Sequence, residues 1–212
     1  MNNLQENNRV KISGVIVSQC TYSHEIYGEK FFSFILEASR ISGAVDMIPV
    51  TASERLLDTS QDMSGFKICV TGQFRSYNKR DADGTHTILS VFARELEFLD
   101  ELQEGREDNL IELDGCICKR PVYRTTPLGR EISDLLLAVN RSYGKTDYIP
   151  CICWGRNAKY VSSMEVGTVV CVVGRIQSRE YIKRFTDGTE EIRTAYEVSV
   201  NRIEVRNEEQ GY

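Results

Sequence analysis

The sequence has 212 residues, 41% of them hydrophobic and 27% charged, and its formal net charge is −5. This composition is typical of a globular chain with one large or two small domains, and it is too apolar for a disordered chain. No stretch reaches the ~20 apolar residues of a membrane span, and no long 3.5- or 3.6-residue periodicity indicates a coiled coil or a helical repeat. Residues 1–8 are polar, so a secretory signal is not expected.

The predicted elements of the first hundred residues are mostly strands. Residues 10–20 alternate apolar and polar side chains, which is the period of a half-buried strand. Gly72 lies near the end of a strand rich in valine, isoleucine and cysteine and predicts a bulge or bend, and Asp83-Gly84 is a hairpin-turn dipeptide. The predicted strands are residues 10–20, 31–38, 67–74 and 88–99, with a short helix at residues 52–62.

The second half of the chain repeats this pattern at an offset that grows from 101 to 107 residues. Its predicted strands are residues 110–118, 132–139, 168–176 and 194–205, with a helix at residues 157–164 and a hairpin turn at Asp187-Gly188. The chain is therefore predicted to contain two domains, residues 1–103 and 104–212, joined at the charged segment 100–108. The aligned residues include Asn8 to Gly14 with Asn109 to Gly115, Asp46 to Pro49 with Asp147 to Pro150, Cys69 with Cys171, and Gly72 with Gly174.

The charge is divided unequally between the two copies. Residues 1–104 hold 10 basic and 15 acidic side chains, whereas residues 105–212 hold 16 of each. Nucleic-acid binding by overall charge requires a basic protein. Any contact with phosphate is therefore expected in the second copy, where a local groove can be basic on an acidic protein.

Each copy is predicted to have five strands, the four given above and a third strand that ends just before the helix, so that the helix lies between the third and the fourth. This order favours the OB fold, a small five-stranded Greek-key barrel, over a generic small β-sandwich. The predicted fold class is therefore all-β, with two tandem OB-fold domains.

The cysteines are predicted to be free thiols. Their number is seven, and an odd count without a secretory signal indicates a reducing compartment. The pairs Cys116/Cys118 and Cys151/Cys153 lie on predicted strands, where residues i and i+2 share one face. Zinc ligands are usually separated by two to four residues rather than one. We therefore predict buried thiols, and neither a metal nor a cofactor is implied.

Four motifs in the second copy carry a family resemblance: Pro121 to Gly129, Leu137 to Arg141, Asp147 to Gly155 and Gly174 to Tyr181. In this order and spacing they closely resemble the bacterial single-stranded DNA-binding protein family. The first copy resembles the family more weakly, through Gly14, residues 34–40, residues 46–50 and residues 72–76. The resemblance implies OB folds, and it implies that four of them assemble, which a tandem chain would achieve as a homodimer.

The resemblance also implies binding of single-stranded DNA in replication, recombination or repair, in the cytoplasm and without a membrane. Family members place aromatic residues at four positions, where bases stack without regard to sequence. Here these positions hold Tyr143, Tyr148, Trp154 and Tyr181. Basic residues beside them would contact phosphates; they are Arg124, Arg141, Lys145, Arg156, Arg175, Arg179, Lys183 and Arg184.

Each of these residues also has a simpler interpretation. Trp154 alternates with isoleucine and cysteine and is also compatible with a core position. Tyr148 shares its parity in the strand, which favours one common face for the two rings. Tyr143 and Tyr181 lie in turn or hairpin regions, where a loose surface tyrosine is ordinary. The arginines are individually compatible with solvated surface, so only their cluster carries weight.

The first copy lacks aromatic residues at the four corresponding positions, Ser42, Met47, Ser53 and Lys79. Together with its acidic balance, this predicts that the first domain mainly completes the assembly. A displaced stacking surface is the alternative, because Tyr22, Tyr27, Phe31 and Tyr77 lie nearby in sequence.

Other functions remain as alternatives. The only histidines, His24 and His86, have no counterparts in the second copy, and no catalytic motif is present, so an enzyme is not expected. An OB-fold protein-interaction or primosome-type accessory module with weak or no DNA binding is the main alternative, and RNA binding is another. Residues 207–212 offer only Glu208 and Glu209 in place of the family's acidic tail, so recruitment of replication or repair proteins through such a tail is not expected.

Overall fold

A computed structural model describes residues 7–81, 84–102, 108–185 and 188–206, without the side chains of residues 80, 81 and 85. Asp83 and Asp187 of the predicted turns, most of the joining segment and residues 207–212 lie outside the described residues. The strands of the first half are β1 (Asn8–Ile16), β2 (Thr21–Ile26), β3 (Glu29–Ser39), β4 (Val45–Ser53), β5 (Lys67–Asp81) and β6 (Gly84–Leu99). The second half contains β7 (Asn109–Ile117), β8 (Val122–Thr125), β9 (Glu131–Asn140), a 3-10 turn (Ser142–Gly144), β10 (Thr146–Trp154), α1 (Arg156–Ser162), β11 (Val169–Arg184) and β12 (Glu190–Val205).

Each half closes into a five-stranded barrel with a short hairpin partner at its edge. In the first half β1 pairs with β3 and β5, β3 pairs with β4, and β5 pairs with β6, all antiparallel, while β4 and β6 pair in parallel and complete the ring. The second half repeats the ring with β7, β9, β10, β12 and β11. The extra strands β2 and β8 pair with β3 and β9. This is the predicted pair of OB-fold domains.

The helix predicted for the first copy is wrong, whereas the one in the second copy is confirmed as α1. In the second copy Ala158 and Val161 are buried and anchor the helix against the barrel. In the first copy residues 54–62 form turns, because Asp58 accepts hydrogen bonds from the backbone and the hydroxyl of Ser60. Short polar side chains that bond to their own backbone compete with helix formation.

The bulges predicted at Gly72 and Gly174 are confirmed, and both glycines are sterically required. The register of β5 with β6 shifts at Gly72, and that of β11 with β12 shifts at Gly174. A Cβ atom at Gly72 would overlap the carbonyl oxygen of Phe92, and one at Gly174 would overlap that of Ser199. The bulges bend the long strands so that they close the barrel and then continue outward as hairpins.

One continuous sheet joins the two barrels. Strand β1 pairs with β7 antiparallel, with Asn8 opposite Leu113 and Ile12 opposite Asn109. Because Asn8 corresponds to Asn109 and Ile12 to Leu113 in the repeat, these contacts are related by an approximate two-fold axis. The twelve strands follow the order β2-β3-β4-β6-β5-β1-β7-β11-β12-β10-β9-β8.

Two buried aspartates, Asp46 and Asp147, lock the domains together across this axis. Asp46 accepts a hydrogen bond from the backbone N–H of Ser178 at 2.7 Å, and Asp147 accepts the equivalent bond from Ser76 at 2.7 Å. Each aspartate is fully buried. In both cases the carboxylate lies on one domain and the serine on the other, so neither half of the seam is complete without the other.

The barrel cores contain aliphatic side chains and the second cysteine pair. Cys151 and Cys153 are buried, as predicted, whereas Cys116 and Cys118 are half-buried. Burial raises the pKa of the Cys153 thiol to about 12, and burial also raises the pKa of Cys151 well above its usual value. The structure places no group of three or more His, Cys, Asp or Glu residues with metal-binding geometry within the described ranges.

Candidate functional site

The outward face of β10 carries two of the four predicted aromatic residues. Side chains alternate along this strand, so that Cys151 and Cys153 point into the core while Tyr148 and Trp154 point out. Tyr148 is half-exposed, and its backbone N–H donates to the hydroxyl of Ser76 on the first domain at 2.8 Å. The common face expected for the two rings is therefore present, and it begins at the seam between the domains.

Trp154 lies at the far end of β10, between two open clefts. Its indole N–H donates to the Ser199 hydroxyl at 3.3 Å, which fixes the ring orientation. The side chain is half-buried rather than part of the barrel core. One cleft, of about 360 Å³, is lined by Arg40, Arg130, Trp154, Arg175, Gln177, Ser178, Arg179 and Ser199. The other, of about 420 Å³, is lined by Trp154, Arg156, Asn157, Tyr160 and Asn201.

The first cleft is shared by both domains, because Arg40 enters it from β3's C-terminal end. Arg40 is held there by Asp46, to which its Nε donates at 2.7 Å. Arg175 reaches the same carboxylate from the second domain, with its Nη1 3.2 Å from Oδ2 of Asp46. The sequence did not indicate Arg40 as a site residue, since its approach depends on the pairing of β1 with β7.

The β11–β12 hairpin extends the face beyond the barrel. Along β11 the side chains of Arg179, Tyr181 and Lys183 share one side by alternation. Tyr181 pairs across the hairpin with Arg193, and the Lys183 ammonium lies 4.7 Å from the ring centre of Phe185. The Arg193 guanidinium lies 5.5 Å from the same ring.

Phe185 and Arg193 were missed from sequence, because their side of the hairpin depends on a register set by the bulge at Gly174. Arg184, in contrast, was predicted as a site residue but lies on the opposite side of the hairpin. There it pairs with Glu190 at 2.8 Å, next to the exposed cross-strand pair of Ile182 and Ile192. The structure therefore does not bring Arg184 to the face that holds Tyr181.

Most of the predicted basic residues already have acidic partners. The ion pairs are Arg124–Asp134 at 2.8 Å, Arg141–Asp147 at 2.9 Å, Arg175–Asp46 at 3.2 Å and Arg179–Glu197 at 3.8 Å. Arg141 and Arg175 pair with fully buried carboxylates and therefore hold the seam. Among the described residues, Lys145 and Arg156 are exposed and without an ion pair.

The remaining predicted residues lie at the two sides of the face. Tyr143 is fully exposed in the 3-10 turn before β10 and has a positive φ of 62°. Tyr143 thus precedes β10, while Tyr148 and Trp154 are separated along it by ~20 Å, at ~3.3 Å per residue. Arg124 lies laterally on β8, opposite Ile132, which is itself opposite Trp154.

The corresponding positions of the first domain are different. Met47 is exposed, and Ser53 is buried with its hydroxyl donating to Glu29. Lys79 is exposed on β5, while Ser42 lies in the turn before β4. None of these positions presents a ring. The one α-helix found in the described ranges has seven residues, and none there meets the length and hydropathy that a membrane crossing requires.

Comparisons with known proteins identify relatives of the second domain. The single-strand binding protein family matches residues 108–206. Single-stranded DNA-binding protein 1 of Staphylococcus aureus is 38% identical over 80 residues, which cover 34% of this chain and 48% of that protein. The chain thus spans about half the length of several curated relatives. Single-stranded DNA-binding protein 2 of Listeria innocua is 32% identical over 111 residues, which cover 49% of this chain and 69% of that protein.

Solved structures extend the likeness of fold to the whole chain. The wild-type single-stranded DNA binding protein from Thermus aquaticus superposes with a TM-score of 0.73 at 21% sequence identity, over 97% of this chain and 95% of that one. This likeness includes the first domain, which the family match does not reach. By the identity and extent of the Listeria innocua match, the chain belongs to the single-strand binding protein family.

Proposed function

We propose that this chain binds single-stranded DNA without sequence preference, mainly through the second domain. The observation that carries the proposal is the position of Trp154, which is fixed by Ser199 between two open clefts that arginines line. Bases stack on aromatic rings irrespective of their identity, and arginines beside the rings neutralise phosphates. The names of the curated relatives report the same activity for those proteins.

The aromatic residues on β10 and just before it support a path for the single-stranded DNA. Tyr148 and Trp154 lie on this strand, Tyr143 precedes it in the 3-10 turn, and Tyr181 with Phe185 extends the surface onto the hairpin. OB folds bind oligonucleotides on the corresponding strands and loops. Basic residues beside the rings that neutralise phosphates release counterions from the DNA, so binding is expected to weaken as the salt concentration rises.

We also propose that two chains form a homodimer that presents four OB domains. The outer face of β6, β5, β1, β7, β11 and β12 is a continuous six-stranded surface. It combines exposed Leu110 and Val169 with charges of both signs. Such a surface is suited to packing on a second copy of itself.

In the cell, this activity would protect exposed strands during replication, recombination or repair. The role is that of a non-catalytic binder associated with the nucleoid in the cytoplasm. The free cysteines of the described ranges are compatible with a reducing compartment.

Fluorescence of Trp154, the only tryptophan, tests the proposal directly. Titration with oligo-dT at low salt is expected to quench the emission strongly, because the indole stacks on a base. Raising the salt is expected to reverse the quenching as counterions compete for the phosphates. The same titration with oligo-U separates a preference for DNA from one for RNA.

Two results would contradict the proposal. If a labelled oligonucleotide shows binding but the fluorescence of Trp154 does not change, the main site would lie in the first domain. An absence of binding at low salt would instead favour a protein-interaction module built on the same fold.

A further inference from the structure

We propose that the first domain carries its own base-stacking surface, formed by Phe92 and Tyr77 with the guanidinium of Arg75. It lies one strand away from the position that Trp154 occupies in the second domain. The proposal rests on the proposed function, since its ligand is the same single strand. It departs from the expectation that the first domain mainly completes the assembly.

The strand registers identify which positions correspond. In the second domain Ile152 lies opposite Ser199, and in the first domain Thr51 lies opposite Phe92. Phe92 therefore occupies the position of Ser199, the residue that holds Trp154 by its hydroxyl. The ring is thus not lost from the first domain but moved from β4 to β6.

A position on the neighbouring strand β3 has also gained an aromatic ring in the first domain. Phe31 lies opposite Ser53, just as Ile132 lies opposite Trp154. The rings of Phe31 and Phe92 are 5.4 Å apart at an angle of 34°. His24 stacks on Phe31 from the other side, with ring centres 4.9 Å apart and planes within 7°. These contacts hold the ring of Phe92 on a packed support.

The two domains also exchange an arginine and a glutamine. In the first domain Arg75 donates to Gln73 at 2.9 Å, and in the second domain Arg175 donates to Gln177 at 3.2 Å. Since Gln73 corresponds to Arg175, the guanidinium has moved two residues along β5. The move places it 3.8 Å from the ring centre of Phe92, where its planar outer face can take a base or a phosphate.

The charge around Arg75 favours an anionic ligand. The pKa of Arg75 is lowered to about 10, mainly by burial and next by the positive charge of Arg141, while Asp147 opposes the shift. The guanidinium therefore remains charged at neutral pH in surroundings that only partly compensate it. A phosphate beside it would supply the missing negative charge.

Tyr77 and Lys79 continue the surface along the hairpin of the first domain. They follow Arg75 at intervals of two residues, so the three side chains lie on one side of β5. Tyr77 is exposed and lies opposite Ile88. A ring followed by a cation repeats the order of Tyr181 and Lys183 in the second domain, and a single strand that leaves the seam would meet this surface next.

The test compares short and long oligo-dT on variants of the first domain. A short oligomer of ~10 nucleotides fits one OB fold, and one of ~40 nucleotides requires more than one. The variants are Phe92→Ser, which introduces the residue of the second domain, and Tyr77→Ala at an exposed position. Phe98→Ser is the matched control, since Phe98 lies on the same strand, is exposed, and packs on Phe66 away from the proposed surface.

Quenching of Trp154 by the short oligomer is expected to stay within about twofold of the wild type, which shows that the second domain of each variant still binds. The dissociation constant of the long oligomer is expected to rise at least about fivefold, the lower end for loss of one stacked base. The number of nucleotides that each chain occludes is expected to fall as well.

The inference would be overturned if both variants matched the wild type in their affinity for the long oligomer and in the number of nucleotides that each chain occludes. The proposed function would then remain intact. A wild-type chain that binds neither oligomer would instead refute the proposed function. An equal loss in Phe98→Ser would also count against the inference, because it would show a general effect of removing a ring.

Discussion

Trp154 combines a fixed orientation with an accessible ring, and this combination suits it to stack on bases. Its N–H is held by Ser199, so little rotamer freedom is lost when a ligand arrives. Tyr148 shares the face and is held at its backbone by Ser76 of the other domain. The two rings are therefore preorganised from both sides of the seam.

Replacement of both rings by alanine, Tyr148→Ala with Trp154→Ala, is expected to weaken oligo-dT binding by ~1–3 kcal/mol for each ring. The reason is the loss of stacking without loss of the barrel core. Fluorescence anisotropy of a labelled oligomer measures the change. Val166→Ala, an exposed apolar position beyond α1, is the control. An unchanged affinity would show that the first domain does most of the binding.

Five of the seven thiols are expected to be slow to react in the folded chain. Burial raises the pKa of Cys153 to about 12, so at pH 8 its thiolate fraction is far below that of a free cysteine with a pKa of ~8.5. Burial likewise raises the pKa of Cys20, Cys118, Cys151 and Cys171. A thiolate-specific disulfide reagent at pH 8 should modify these five thiols slowly in the native protein and completely in urea. Rapid native labelling of Cys153 would contradict its burial.

Residue alternation was sufficient to predict the outward face of Tyr148 and Trp154. The ion pairs could not be predicted in the same way. Asp46 and Arg175 are 129 positions apart, and they meet only because the barrels share a sheet. Arg141 and Arg175 therefore looked like free phosphate ligands from sequence, whereas each has a buried carboxylate partner.

At the level of elements, the long β11–β12 hairpin depends on a single bulge. Gly174 lets β11 bend where a Cβ would meet the Ser199 carbonyl. The bend then sets which side of the hairpin carries Tyr181 and which carries Ile182. The glycine therefore influences both the stability of the barrel and the direction of the binding surface.

Gly174→Ala is expected to lower the free energy of unfolding by ~1–3 kcal/mol, the usual cost of forcing an extra methyl group into a packed region. Urea denaturation followed by circular dichroism measures this loss. Glu180→Ala, an exposed change on the same strand, is expected to have little effect. Equal midpoints for the two variants would show that the bulge accommodates a side chain.

The sequence predicted most elements because apolar alternation is strong in both copies. It failed at residues 54–62, where the segment is long enough for a helix but Asp58 and Asp62 bond to nearby serines. Pattern length alone does not reveal such local competition. The position of Phe185 was missed for a related reason, since the register after a bulge cannot be read from periodicity.

At the level of the whole molecule, the outer six-stranded face has an alternating pattern of charge. The outward residues of β1 include Arg9 and Lys11, and those of β7 include Glu112 and Asp114. The acidic β6 edge carries Glu95 and Glu97, while the β12 edge carries Arg202, Glu204 and, just beyond the strand, Arg206. If two chains pack face to face with β1 over β7 of the second copy, opposite charges meet. If β1 instead packs over β1 of the second copy, like charges meet.

Glu97→Lys is therefore expected to raise the dissociation constant of the homodimer about tenfold or more in low salt, because the β6 edge would then face the cations of β12. Adding Arg202→Glu in the same chain is expected to restore dimerisation. These edges are separated by five strand spacings of ~4.8 Å, too far for a direct contact within one chain. Sedimentation equilibrium measures the constants, and unchanged dimerisation in Glu97→Lys would rule out this orientation.

The pairing of β1 with β7 has a consequence for how the two halves can diverge. When a seam forms between identical chains, every substitution occurs on both sides at once, and its formation depends on protein concentration. Here the seam lies within one polypeptide, so dilution does not dissociate it and each side can change alone. The exchange of Gln73 and Arg75 for Arg175 and Gln177 is a change of this kind. Covalent fusion thus lets one chain keep two unlike binding surfaces in a fixed relative position, which an assembly of single-domain copies cannot specify.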